Sequence, residues 1–258
     1  MNSFYCLLKS PFINFGIISI YETNPKFKSL FQSIIMILQK SIPASYLLDS
    51  RIITCYIHVL QIFSMYYPNF LTEDEGILAF ICELLRIAIL SMDLSIIKDS
   101  IIVIFYLHRY LINIKNSLNN PEENQTLFEN IQSKINLFKP IIIILFSSYI
   151  KLNHVLMEDE YFLKFFFHLN FNLELNDIVN EIAQNIGGQT GDEFFQVYEK
   201  LLHKFGQLMN DETIPDEISR LKDFQGISQS FSKNCFEINL PNFMIFDNFR
   251  PYFIPYHV

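Results

Sequence analysis

A short glycine-rich run, Gly187-Gly188-Gln189-Thr190-Gly191-Asp192, is the first stretch of this sequence that could do chemistry, because such runs can cradle phosphate. A phosphate loop needs a Lys followed by Ser or Thr after its last glycine, and it follows a β-strand. Here Asp192 and Glu193 follow instead, and their carboxylates would repel phosphate. We therefore predict that the glycines end one helix, and that Thr190 caps the next with Glu193 as its capping-box partner.

Three acidic clusters could supply paired carboxylates, namely Glu73-Asp74-Glu75, Glu158-Asp159-Glu160 and Asp211-Glu212. General acid and base catalysis needs two carboxyl groups in one cleft with separated pKa values. Each cluster instead stands at the start of a predicted helix, where acids stabilise the helix dipole. No Ser or Cys lies in a nucleophile-elbow pattern. The sequence therefore predicts no catalytic residues, and we expect that the protein is not an enzyme.

Cysteine and histidine spacing gives no metal-binding pattern. The one near pair is Cys55 with His58, on an apolar helical face where both are predicted to be core residues. We expect no metal and no cofactor, and we expect the cysteines to be buried thiols in a reducing compartment. The chain has four of them: Cys6, Cys55, Cys82 and Cys235.

The charge balance argues against a nucleic-acid partner. The chain has 19 Lys and Arg against 27 Asp and Glu, a formal net charge of −8, and no basic stripe that could replace phosphate counterions. A membrane span needs about 18 to 20 uncharged apolar residues. The longest uncharged stretch, between Arg51 and Glu73, is interrupted by Pro68 and Asn69. We keep a membrane-associated helical subunit of an organellar complex as the alternative to a protein-binding scaffold.

Helices are predicted along most of the chain because apolar residues recur at helical spacing and the breaks carry capping residues. Thr72 with Glu75 forms a capping box, and Asp93 is predicted to cap the helix that follows the turn at Ser91. Few glycines and scattered prolines indicate short connections. The predicted helices are 26–40, a second from Ser45 or Asp49 to just before Pro68, a third opened by the Thr72 capping box and ending at the turn at Ser91, a fourth from Asp93 to about Leu118, then 122–136, 137–153, 158–169, 173–186 and 193–209, with one short helix opening at 213–217.

Predicted helix starts near residues 26, 74 and 122 recur about every 48 residues, close to the two-helix unit of HEAT and armadillo repeats. On this spacing, and on the Phe, Leu and Ile packing, residues 26–209 resemble a HEAT-type α-solenoid and, more loosely, the importin-β and exportin class. The resemblance implies an all-α, HEAT-like superhelix of antiparallel hairpins that binds protein without catalysis. It also implies cargo or a Ran-type GTPase as partner, and a cytoplasmic or nuclear location.

The predicted organisation has three parts. Residues 1–24 are an apolar segment that is predicted to pack on the first hairpin. We expect this segment to be covered by further protein, either a partner or the rest of a longer chain. Residues 25–225 form the helical-repeat domain. Residues 226–258 are predicted to be an irregular tail, because Gly226 is followed by many Ser, Asn and Pro.

An aromatic stripe in the tail is the candidate partner-binding site. Its members recur every third residue, which is the period of an extended polyproline II ribbon and also of a short 3₁₀ turn. The stripe is expected either to bind another protein or to dock on the last hairpin around Phe194, Phe195, Leu201 and Leu202. The candidate residues are Phe243, Phe246, Phe249 and Tyr252.

Overall fold

A computed structural model describes residues 29, 33, 50–91, 93–118, 124–156, 159–171, 174–214 and 216–238. Over these residues the chain is all-helical and contains no strand, which confirms the all-α prediction. They divide into two compact units, one ending at Phe138 and the other beginning at Lys139. The predicted N-terminal segment 1–24 lies outside the described residues, and of the helix predicted at 26–40 only Ser29 and Ser33 are described, both helical.

The first unit contains five described helices: α1 (Ser50–Tyr66), α2 (Pro68–Glu73), α3 (Glu75–Leu90), α4 (Leu94–Ser117) and α5 (Gln125–Asn136). Helix α4 is the centre of this unit, because α1, α2, α3 and α5 all pack against it. Its buried face includes Ile97, Ile101 and Ile104, none of which has measurable exposure. Helix α5 is tied to the junction of α2 and α3, since Ser133 Oγ donates to Glu75 Oε1 at 3.0 Å and Lys134 Nζ donates to the Glu73 carbonyl at 3.1 Å.

Capping in this unit confirms one prediction and corrects another. Asp93 accepts hydrogen bonds from the backbone amides of Ser95 and Ile96, so it caps α4 as predicted. Thr72 does not cap α3. Pro68 begins the short helix α2, Thr72 lies within it, and the Thr72 hydroxyl donates back to the Pro68 carbonyl at 3.0 Å. The cap of α3 is Asp74, which accepts from the amide of Ile77 at 2.9 Å.

The second unit contains α6 (Lys139–Leu156), α7 (Glu160–Phe171), α8 (Glu174–Ile186), α9 (Gly188–Met209) and α10 (Glu217–Glu237). Helix α9 packs between α8 and α10, and α10 also packs against α6 and α7. The shared core is aromatic. Phe231 lies 5.8 Å from Phe146 and 6.4 Å from Phe194 between ring centroids, and Phe224 lies 5.5 Å from Phe166.

Helix α10 corrects the prediction of an irregular chain from residue 226 onward, because it continues through Gly226 to Glu237. Its buried positions recur at helical spacing on one face and are Leu221, Phe224, Ser228, Phe231, Ser232 and Cys235. Ser228 and Ser232 interrupt an otherwise apolar stripe, so the helical pattern is weak in the sequence. None of the helices in the described residues is long and apolar enough to cross a membrane.

Candidate partner-binding groove

The connection between α8 and α9 is a tight turn built from two glycines. Gly187 has φ +65° and ψ 174°, and Gly188 has φ +57°. The Gly187 conformation is nearly restricted to glycine, which confirms the predicted glycine stop at the end of α8. The prediction that Thr190 caps α9 is wrong. The left-handed turn starts the helix at Gly188, so Thr190 lies within its first turn, and no side chain caps α9.

Gly191 brings α9 unusually close to α8. A Cβ at Gly191 would lie 2.5 Å from the carbonyl oxygen of Ala183, closer than real Cβ atoms approach. The same carbonyl accepts a hydrogen bond from the Gly187 amide at 2.9 Å. The backbones of the two helices are therefore in close contact beside the turn, and no side chain separates them at Gly191.

A groove of about 580 Å³, which we call the turn groove, opens on the outer side of this contact. Asn180, Gln184, Gln196 and Asp192 are its polar residues, and none of them forms a hydrogen bond or ion pair with another residue that the structure describes. Phe195, half-buried, adds an aromatic wall. The complete lining is Asn180, Ala183, Gln184, Gly187, Gly188, Gly191, Asp192, Phe195 and Gln196.

A second groove of about 370 Å³, the lysine groove, continues along α9 and shares Gln196 with the turn groove. It is lined by Gln196, Glu199, Lys200, His203 and Lys204. All five side chains are exposed, while Val197, Tyr198 and Leu201 on the other side of the helix are buried in the unit. One face of α9 thus presents a continuous polar surface, with a carboxylate near its start and two lysines further along.

The two grooves offer donors, acceptors and charge without a reactive group held in place. Carboxamides both donate and accept hydrogen bonds, and Asp192 accepts only. His203 is exposed and makes no hydrogen bond to another described residue. In the described part of the chain no set of three or more His, Cys, Asp and Glu side chains is arranged to hold a metal ion. The arrangement suits recognition of a polar, chain-like ligand.

The near pair Cys55 and His58 lies on α1. The prediction that His58 is a core residue is wrong. Its Nε2 lies 3.1 Å from Asp99 Oδ2 on α4, and its side chain is one-third exposed. Gln61 donates to the same carboxylate at 3.0 Å. Cys55 is only half-buried, which corrects its predicted burial, and it makes no hydrogen bond to His58.

The remaining described cysteines, Cys82 and Cys235, are buried as predicted. Burial raises the pKa of both thiols, and the neighbouring Glu83 adds to the rise in the pKa of Cys82. A raised pKa keeps the thiol protonated and unreactive. Neither cysteine has the environment of a nucleophile. Cys6 lies outside the described residues.

Two of the three acidic clusters stand at helix starts as predicted, with Asp74 and Asp159 as caps, whereas Asp211 and Glu212 lie in the turn after α9 and not at the start of a helix. Asp159 accepts from the amide of Phe162 at 3.0 Å at the start of α7. Asp211 accepts from the hydroxyl and the amide of Thr213, and these hydrogen bonds lower the pKa of Asp211. Asp216 caps α10, and its hydrogen bond from the Ser219 amide lowers its pKa in the same way.

The aromatic stripe predicted to bind a partner, Phe243, Phe246, Phe249 and Tyr252, lies outside the described residues. Part of its predicted docking surface is occupied by α10. Phe194 and Leu201 are buried, and Phe231 packs on Phe194 and Tyr198. The groove amides Asn180, Gln184 and Gln196 were not singled out by the sequence, because exposed amides on a helix match no motif.

No protein-family model matches this sequence, and no curated protein or solved structure shows significant similarity to it.

Proposed function

We propose that the protein is a non-enzymatic, protein-binding helical scaffold, and that the polar face of α9 is a surface by which it holds a partner. The observation that carries the proposal is the pair of adjoining grooves. Their side chains, including Asn180, Gln184, Asp192 and Gln196, make no hydrogen bonds within the described structure. They stand on a rigid base, since the opposite face of α9 is buried in an aromatic core.

We also propose that the helices form a HEAT-like stack of antiparallel hairpins. Two contacts support this arrangement. Helix α1 packs along α4, and α6 packs against α8, as the second helices of successive hairpins do in a stack. The return of α10 onto α6 and α7 would then seal the second unit, in the way that a terminal capping helix shields the apolar face of a repeat array.

The sharpest form of the proposal follows from the resemblance to the importin-β and exportin class. In that form the partner is a transport cargo or a Ran-type GTPase, and the protein works in the cytoplasm or the nucleus. Binding would rest on modest contacts spread along a surface, with a few residues supplying most of the binding energy.

The experiment compares two charge-matched variants of the full chain. Gln196→Arg places a long side chain where the two grooves meet, and Gln207→Arg places the same side chain on exposed α9 surface that lines neither groove. Cross-linking through Lys200 and Lys204, followed by mass spectrometry, identifies partners that contact α9. We expect Gln196→Arg to lose these cross-links and Gln207→Arg to keep them.

Two results would overturn the proposal. One is a set of partners captured equally well by both variants, with no cross-link on α9. The other is the absence of any partner cross-linked to α9 in the unmodified chain. A Ran-type GTPase loaded with GTP, added in purified form, tests the sharper version separately.

A further inference from the structure

We propose that the turn groove binds the guanidinium group of an arginine side chain in an extended segment of the partner. This inference rests on the proposed function and names the chemistry of the ligand. Arginine carries five N–H donors and a permanent positive charge on a flat group. The turn groove offers a carboxylate, several amide oxygens and an aromatic ring.

The charge is set by Asp192. It is the one ionisable side chain among the residues that line the turn groove, it is exposed, and no Lys, Arg or His pairs with it within the described structure. A carboxylate can accept both hydrogen bonds of one edge of a guanidinium group. The oxygens of Asn180, Gln184 and Gln196 could accept from the other N–H groups.

The flat shape of the ligand is matched by Phe195. This residue lies three positions after Asp192 on α9, which places both on the same side of the helix. The ring lines the groove and has no ring contact with another described residue. A guanidinium group above an aromatic ring is attracted by the electrons of the ring face, and the effect is larger for arginine than for a compact, strongly hydrated ammonium group.

The start of a helix generally attracts anions, because its free amides carry partial positive charge. In the turn groove that attraction is opposed by the negative charge of Asp192, which is four residues after Gly188, the first residue of α9. The groove therefore selects a cation. A phosphate group is the competing ligand, and the experiment includes it as a probe.

The neighbouring lysine groove sets the charge pattern of the rest of the segment. Lys200 lies eight residues after Asp192, or about 12 Å along the helix. An extended chain covers that distance in about four residues. Lys200 and Lys204 outnumber the one carboxylate of the groove, Glu199, so the groove would repel a second basic residue and attract an acidic one. The geometry therefore points to an extended segment with an arginine and an acidic residue about four positions apart.

The test uses a fluorescein-labelled heptapeptide, Ser-Arg-Ser-Gly-Ser-Glu-Ser, titrated with the full chain and followed by anisotropy. A second peptide replaces arginine with citrulline, which has nearly the same shape but no charge. We expect the citrulline peptide to bind about tenfold more weakly, because it loses both the ion pair with Asp192 and the cation–π contact with Phe195. Equal binding of the two peptides, or no binding of the arginine peptide, would overturn the inference.

Protein variants locate the site. Asp192→Asn should weaken the arginine peptide by about threefold to fivefold, as expected for an exposed ion pair. Asp223→Asn, which makes the same charge change on exposed α10 surface, should leave binding unchanged. Phe195→Leu removes the ring while keeping an apolar side chain, and it should also weaken binding. Unchanged affinity in both groove variants would refute the assignment.

Two further outcomes separate this inference from the proposed function. If inorganic phosphate, and not the arginine peptide, shifts the side-chain amide signals of Asn180, Gln184 and Gln196 in nitrogen-15 spectra, the site is an anion site and the inference fails. If the arginine peptide fails to bind while partner cross-links still depend on residue 196, the inference fails and the proposed scaffold function stands.

Discussion

Replacing Gly191 with alanine should destabilise the second unit, although alanine is normally the better helix residue. The added Cβ would lie 2.5 Å from the Ala183 carbonyl oxygen. An unstrained contact between such atoms needs roughly 3.5 Å, so α8 and α9 would have to separate by about 1 Å. The neighbouring atom belongs to the backbone, and that carbonyl also holds the Gly187 amide, so a side-chain rotation cannot relieve the clash.

The size of the effect follows from two opposing contributions. Inserting a methyl group into a close-packed contact costs about 1–3 kcal/mol, and a rigid backbone neighbour places this contact near the upper end. Replacing glycine with alanine inside a helix returns about 1 kcal/mol. The expected net loss in the free energy of unfolding is about 2 kcal/mol.

Gly206 provides the matched control, because it lies on the same helix and an added Cβ there meets nothing within 4 Å. Gly206→Ala should therefore stabilise the protein by about 1 kcal/mol. Urea unfolding of both variants, followed by far-ultraviolet circular dichroism, measures the difference of about 3 kcal/mol. Equal midpoints for the two variants would show that α8 and α9 do not meet at Gly191 as described.

Three other predictions concern single groups. Asp74→Ala should cost about 1 kcal/mol by removing the cap of α3, measured by urea unfolding; an unchanged midpoint would contradict the assigned cap. In the folded protein, a thiol reagent should label Cys55 well before the buried Cys82 and Cys235, as read by mass spectrometry; labelling at equal rates would contradict the burial. The pKa of Asp216 is lowered in the folded protein, so the stabilisation that its carboxylate gives to α10 should be fully present above the ordinary carboxyl pKa of about 4. This stabilisation should be lost as the pH falls through the lower folded pKa. The protection of the first turn of α10 against hydrogen exchange, compared with the intrinsic exchange rate at the same pH, should therefore fall at acidic pH in the unmodified chain, and Asp216→Asn should lack this pH dependence.

Local capping chemistry was predictable only where the sequence offered a single candidate. Asp93 follows a short turn, has no competing side chain in a position to cap α4, and caps it as expected. Before α3 the sequence offers both Thr72 and Asp74. Pro68 decides between them, because it begins a short helix that takes Thr72 into its own hydrogen bonding. Choosing Asp74 from the sequence would have required recognising that a six-residue helix fits between two longer ones.

The part of helix α10 beyond Gly226 was missed for a related reason. Its buried face contains two serines, Ser228 and Ser232, so the apolar periodicity of Leu221, Phe224, Phe231 and Cys235 is diluted. Serine and Gly226 also favour non-helical structure locally. Packing of Phe224 and Phe231 against rings from α6, α7 and α9 outweighs those preferences. Those partners are distant in the sequence, so no local pattern predicts the contacts.

The turn groove was not predictable from the sequence, although the end of α8 at the glycines beside it was. The two left-handed residues and the end of α8 follow from the glycine pair itself. That the turn would open beside Asn180, Gln184 and Gln196 depends on how α8 and α9 cross, and that crossing is set by the close approach at Gly191. A single glycine such as Gly191 indicates a close approach of two helices only when the packing of the neighbouring helix is known.

The return of α10 onto α6 has a consequence for the order in which the chain folds. Phe146 lies in the first helix of the second unit and Phe231 in the last helix that the structure describes there, and their rings are in contact. A ribosome therefore releases nearly the whole unit before this contact can form, and closing so long a loop is a slow step. Until Phe224 and Phe231 leave the ribosome, the aromatic side chains of α6 and α9 that pack against them remain exposed. A nascent chain paused before α10 should consequently be the species that binds chaperones and aggregates, and adding α10 should abolish both properties in one step.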